Sequence, residues 1–107
     1  MVITIENGDL CIGNNRMYLC KAGAGNERTN IPLGRYEVST QFSHSHGAVL
    51  PSATNLGWLG DDRSCDVVLG NVRGSNGVIP CKASLTALLS RIEVAEGAGQ
   101  FIELEVK

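Results

Sequence analysis

The stretch Ser84-Leu85-Thr86-Ala87-Leu88-Leu89-Ser90-Arg91-Ile92-Glu93-Val94-Ala95-Glu96, followed by Gly97-Ala98-Gly99 and then Gln100-Phe101-Ile102-Glu103-Leu104-Glu105-Val106-Lys107, changes its hydrophobic period once. Leu85, Leu88, Leu89 and Ile92 fall at i, i+3, i+4 and i+7, one face of a helix. Ser84 is a good N-cap, because its hydroxyl can accept from an unpaired first-turn amide. Gly97 and Gly99 supply a left-handed stop. The spacing predicts a helix over about 84–96. From Gln100 onward Phe101, Ile102, Leu104 and Val106 alternate with Glu103, Glu105 and Lys107, so the period becomes two and a final strand follows with its polar face outward.

Upstream of that helix the chain reads as strands. Val2–Ile5 and Leu10–Ile12 flank Asn7-Gly8, the dipeptide whose left-handed conformers fit a two-residue hairpin turn. Arg16–Cys20 is a third strand, and the glycine-rich Ala22–Asn30 reads as a surface loop. Ile31-Pro32-Leu33-Gly34 turns the chain into Arg35–Phe42, where Tyr36, Val38 and Thr40 share one face. Ser43–Asp62 is the least regular stretch and reads as a long loop carrying both histidines and Trp58. Asp66–Gly70 is a continuous apolar run suited to a buried central strand, Asn71–Asn76 a polar turn, and Gly77–Ile79 a short strand. The expected fold is therefore α+β: a mostly antiparallel β sandwich or half-barrel with one C-terminal helix, in a single β-rich domain spanning 1–107.

Composition narrows the function classes. The chain has 107 residues, 43% hydrophobic and 19% charged, with a formal net charge of −2. A balance so near neutral gives no electrostatic reason to expect nucleic-acid or membrane partners, and no apolar run approaches the roughly 20 residues that span a bilayer. Met1–Ile5 is apolar but brief and lacks the basic start and cleavage site of a signal peptide. The expectation is a cytoplasmic protein whose four cysteines, Cys11, Cys20, Cys65 and Cys81, stay reduced. No C-x-x-C spacing marks a zinc knuckle or redox pair, and no cofactor fingerprint occurs.

Three constellations carry candidate chemistry. His44 and His46 stand at i and i+2, one face of a strand, but no carboxylate or cysteine nearby in sequence completes a metal set, so no metal is expected. Asp61-Asp62 before Arg63 reads as an exposed turn. Cys65 and Cys81 flank the central strands, and His44 or His46 could approach either from the long loop. A thiolate beside an imidazole, with amides aimed at a developing oxyanion, would make a nucleophilic site. Trp58, an aromatic on an irregular segment, suits an interface anchor or a lid over the core.

The run Asp66–Ala83, DVVLGNVRGSNGVIPCKA, resembles the signature region of L,D-transpeptidase catalytic domains, in which a strand ending in histidine precedes S-H-G-C-(I/V)-R. It is more similar to a family of small bacterial and phage domains reading I-P-x-G-x-Y-x-V, then L-P, I-x-I-H-x-G-N, G-C-I, a helix and a last strand. Ile31–Val38 matches the first element, Leu50-Pro51 the second, Val67–Asn71 the third and Gly77–Ile79 the fourth. The departures decide what the resemblance implies. Val78 stands at the nucleophilic cysteine, Asn76 at the signature histidine, Leu69 at the second histidine and Pro80 at the arginine. Neither an isopropyl nor an isobutyl group can attack a carbonyl or take a proton. The resemblance therefore implies a non-catalytic binding or accessory protein of a bacterium, phage or mobile element, with Gly70, Asn71, Ser75, Asn76 and Gly77 lining the former site for a peptide, glycan or protein partner. A cysteine-dependent cell-wall acyltransferase or hydrolase with a migrated nucleophile, Cys81 or Cys65, is the enzymatic alternative. A small inhibitor or adaptor binding a host protein is the third. Strand edges leave a homodimer open.

Overall fold

A computed structural model describes residues 1–13, 15–25, 30–75 and 77–107. Its elements are β1 (Val2–Glu6), β2 (Asp9–Ile12), β3 (Asn15–Ala24), β4 (Gly34–Ser43), β5 (Ala48–Ala53), β6 (Gly57–Gly60), β7 (Val67–Gly74), β8 (Gly77–Pro80), α1 (Lys82–Gly97) and β9 (Glu103–Val106). The β-rich composition with one helix and a strand after it matches the α+β expectation. The sandwich or half-barrel does not: the strands run β3-β2-β1-β9-β4-β5-β6-β7 and return to β3, closing an eight-stranded barrel. Closure comes from the second half of β3. Ala22–Ala24, expected in a loop, continues the strand, and Lys21–Ala24 pairs antiparallel with Gly70–Val67. Ala22 and Gly23 are small enough for this close pairing, and a Cβ on Gly23 would crowd Val78 at 2.9 Å.

Most pairings are antiparallel, but β1 runs parallel to β9 and β6 parallel to β7. The β1–β2 turn is the expected hairpin, with Asn7 and Gly8 at φ +52° and +80°. The first half of β7 closes the barrel, while its second half pairs β8, so Asn71–Gly74 is strand rather than turn. The predicted loop 43–62 is also largely strand. Phe42 pairs Val49 in a β4–β5 hairpin, and Ser52 pairs Trp58 between β5 and β6. Trp58 therefore sits half-buried on a strand. Its stretch hides from sequence reading because β6 is four residues long and carries a glycine at each end.

Helix α1 starts two residues earlier than expected. Cys81, with extended φ −143° and ψ 121°, occupies the N-cap, and its carbonyl accepts from the amides of Ser84 and Leu85. Ser84 is not the cap but is fully buried on the inward face with Leu88, Ile92 and Ala95. Leu85 and Leu89 are only partly buried, so the apolar stripe is rotated from the predicted face. Gly99, at φ +72°, provides the left-handed exit, and Gln100 donates to Ala95. Leu88 and Ile92 join Ile3, Leu10, Leu59, Leu69 and Leu104 in one hydrophobic cluster. Burying each such side chain contributes roughly 1.5–3 kcal/mol. Phe101, expected in the last strand, precedes β9 and is exposed. Among the described residues, no helix is long and apolar enough to cross a membrane.

Candidate functional site

The parallel step from β6 to β7 shapes the site. Parallel neighbours ordinarily need a crossover of a dozen or more residues; here residues 61–66 suffice. The loop is stapled at both ends. Asp66 donates its amide to the Trp58 carbonyl at 2.9 Å and accepts the Trp58 amide on its carboxylate at 3.0 Å. Ser64 donates its amide to Asp62 Oδ1 at 2.8 Å, and Cys65 donates its amide to the Asp62 carbonyl at 3.0 Å. Glycines make room for the tight course. A Cβ at Gly57 would enter the Asp66 carboxylate, one at Gly25 the Cys65 carbonyl, and one at Gly60 would lie 2.6 Å from the Cys65 sulfur.

Against this loop stands the β4–β5 turn with His46. Its Nδ1 lies 2.7 Å from the buried Ser43 hydroxyl and 3.1 Å from that of Ser45, while Nε2 lies 2.9 Å from Ser64 Oγ and 3.6 Å from Cys65 Sγ. The Trp58 ring sits 6.4 Å from the imidazole, inclined at 64°. A pocket of about 310 Å³ opens here, with an apolar floor of Leu50, Ala48 and Leu85 and a polar rim that includes His46, Ser64, Asp61 and Lys82.

The charges in the pocket are set by hydrogen bonding and burial. The Ser64 amide, then its hydroxyl, hold the Asp62 carboxyl below the usual carboxylate range, with His46 adding to the effect. Burial pushes the Cys65 thiol up to about 11, although its Asp62 contact opposes this; the carboxylates of Asp62, Asp61 and Asp66 push it further. Cys65 is therefore a neutral thiol at pH 7, held over Gly60 with 1% exposure. Cys81 differs: the Ser84 and Ala83 amides at the start of α1 lower its pKa.

Of the residues expected from sequence, His46, Cys65 and Trp58 are brought together. His44 is not; it lies in the turn with its ring edge-on to Phe42 at 5.0 Å. Cys81 caps the helix and hydrogen-bonds to neither imidazole. Gly70 is buried, and a Cβ there would enter the Ile79 carbonyl, so its glycine serves the β7–β8 approach. Asn71 and Ser75 are exposed, Gly77 turns the hairpin at φ +102°, and none of them borders the His46 pocket. Asn76 lies outside the described residues. Leu69 and Val78, the positions aligned with transpeptidase catalytic groups, are both buried in apolar surroundings. The sequence reading missed Ser43 and Ser64. Each is an ordinary turn-forming serine in sequence, and only the β4–β5 and β6–β7 pairings place them on either side of one ring. Among the described residues no group of three or more His, Cys, Asp or Glu side chains converges to hold a metal. No family model, curated protein or solved structure matches this chain.

Proposed function

We propose that this protein is a non-catalytic binding protein of a bacterium, phage or mobile element, and that its His46 pocket takes a polar peptide or glycan group. One observation carries the reading: Asp62 consumes the amides of both Ser64 and Cys65. Acyl transfer at either residue needs free donors aimed at the developing oxyanion. Here the adjacent amides are spent and a carboxylate stands beside them. Ser64 also has one hydroxyl proton, for which the Asp62 carboxylate competes with His46 Nε2. What remains is a recognition surface: a ring nitrogen, serine hydroxyls, carboxylates and the Lys82 ammonium above an aliphatic floor. Such groups suit a ligand that presents amides or hydroxyls beside apolar carbon. Four free thiols suit action in a reducing cytoplasm.

The second reading, a cysteine-dependent acyltransferase or hydrolase, draws on the 3.6 Å approach of Cys65 to His46. One experiment separates the two. Amide NMR spectra are recorded as a disaccharide-peptide muropeptide, its free peptide and its free glycan are added, and the same samples are followed by mass spectrometry. Binding predicts saturable shifts at His46, Ser64 and the Trp58 indole, weakened by His46→Ala, with ligand and protein masses unchanged. A cleaved product or an adduct on Cys65, lost in Cys65→Ala, would establish the enzyme instead. The absence of shifts with all three probes would reject the proposed ligand class.

A further inference from the structure

A second pocket, of about 240 Å³, opens where β1, β3 and β9 end, and shares no residue with the His46 pocket. Its charged side chains among the described residues are both cations, Arg73 and Lys107, in a chain whose net charge is −2. The Arg73 guanidinium lies on Gly8, where a Cβ would meet Nη2 and push the guanidinium aside. Gly8 at φ +80° is favoured by the turn, and its bare Cα leaves room for the cation as placed. Nη2 donates to the Ala22 carbonyl at 3.2 Å, which anchors one nitrogen of the fork at the pocket. A guanidinium carries five N–H donors, and Ala22 is its one hydrogen-bond partner among the described residues. Lys107 is held only loosely, 3.7 Å from a Glu105 carboxylate that also pairs with Arg35 at 3.0 Å. Ile5, Ile31, Leu33 and Val106 supply apolar walls.

We infer that this barrel-end pocket binds a carboxylate attached to a short apolar group, with Arg73 as the fork and Lys107 as the second cation. A planar carboxylate matches the guanidinium geometry in two parallel hydrogen bonds. The volume is below the roughly 300–1,000 Å³ of drug-sized sites, so the occupant is about the size of one amino-acid residue. A free acid and the C-terminus of a peptide present the same chemistry. The inference does not depend on the His46 reading.

The test is an amide NMR titration of the full chain with N-acetyl-leucine, with N-acetyl-leucinamide as the neutral isostere. N-acetyl-leucine is expected to shift Gly8, Ala22, Gly23 and Lys107 saturably, and the amide to bind at least tenfold more weakly. Arg73→Gln should weaken binding at least tenfold and Lys107→Gln by a smaller factor, with unchanged melting temperatures, while His46→Ala leaves it intact. Rising salt should weaken it further. A peptide ending in leucine that binds more tightly than N-acetyl-leucine would identify a chain terminus as the source; equal binding would identify a free acid. Equal binding of the amide, insensitivity to Arg73→Gln, tighter binding of inorganic phosphate, or no response to any probe would overturn the assignment.

Discussion

Gly60→Ala tests whether the Cys65 sulfur is lodged where it must be to meet His46. A Cβ at position 60 would lie 2.6 Å from Cys65 Sγ, whereas the next nearest atoms, the Leu50 methyls, are at 3.6 and 3.7 Å and in ordinary contact. Non-bonded heavy atoms settle at about 3.5–4.0 Å, so the sulfur must retreat by about 1 Å. It has no easy exit, because Cys65 is buried and its amide is tied to Asp62. Overpacking of this kind costs about 1–3 kcal/mol. Cys65→Ala alone removes one buried atom and should cost about 1 kcal/mol. In that background the added methyl of Gly60→Ala meets only the Leu50 methyls and restricts the unfolded chain, which stabilises by about 0.4–1 kcal/mol. The same substitution should therefore destabilise in one background and be neutral or stabilising in the other, a coupling of at least about 1 kcal/mol. Urea unfolding followed by Trp58 fluorescence measures all four proteins. If Gly60→Ala costs the same in both backgrounds to within about 0.5 kcal/mol, the sulfur is not over Gly60, and the His46–Cys65 geometry fails with it.

The thiols should differ in both reactivity and pH linkage. Cys81, with its pKa lowered by the Ser84 and Ala83 amides, should be carbamidomethylated first by iodoacetamide at pH 7.5, well ahead of Cys65 and of Cys20, whose thiols burial raises to about 11; a mass-spectrometric time course with Cys65 or Cys20 first contradicts this. Because those two folded pKa values lie above the ordinary 9.0, the unfolded chain loses these protons first, so their contribution to stability is complete below about pH 9 and falls as pH rises towards 11; Cys20→Ala should flatten that decline in urea midpoints, and an unchanged slope would refute the linkage. Leu88→Ala should cost about 2–5 kcal/mol, since the side chain is fully buried, whereas Val94→Ala, on the exposed face, should stay within about 0.5 kcal/mol; thermal unfolding of the pair checks which face of the helix is inward, and equal costs would contradict the packing.

Much of the fold is legible where pattern and backbone chemistry agree. Asn7-Gly8 dictates its hairpin because few other residues accept two consecutive left-handed conformers, and Ile102, Leu104 and Val106 are buried in alternation as read. Barrel closure is not legible, because it depends on Ala22, Gly23 and Ala24, residues of poor strand propensity that only the partner strand β7 makes extended. The short strands of residues 48–60 fail for a related reason. Their glycines and Pro51 are turn residues by composition, and tertiary pairing overrides that preference. At the helix start, Ser84 satisfies the cap rule in isolation, yet it lies under Cys20, whose Sγ donates to its carbonyl at 3.7 Å, and packing moves the cap to Cys81.

The site divides along the same line. His46 and Cys65 are identifiable as candidates by residue type, since few side chains bear a lone pair or a titratable group useful near neutral pH. Their meeting is not, because 18 residues separate His46 from Ser64 and the connection runs through β5, β6 and an unusually short parallel step. That step is also what governs the chemistry. Turning the chain within residues 61–66 obliges Asp62 to take up the amides of Ser64 and Cys65 and presses the Cys65 thiol onto Gly60. The same compactness that brings a thiol, a hydroxyl and an imidazole together thus ties up the adjacent amides that acyl transfer would need, which is why the proposed reading is binding and not turnover.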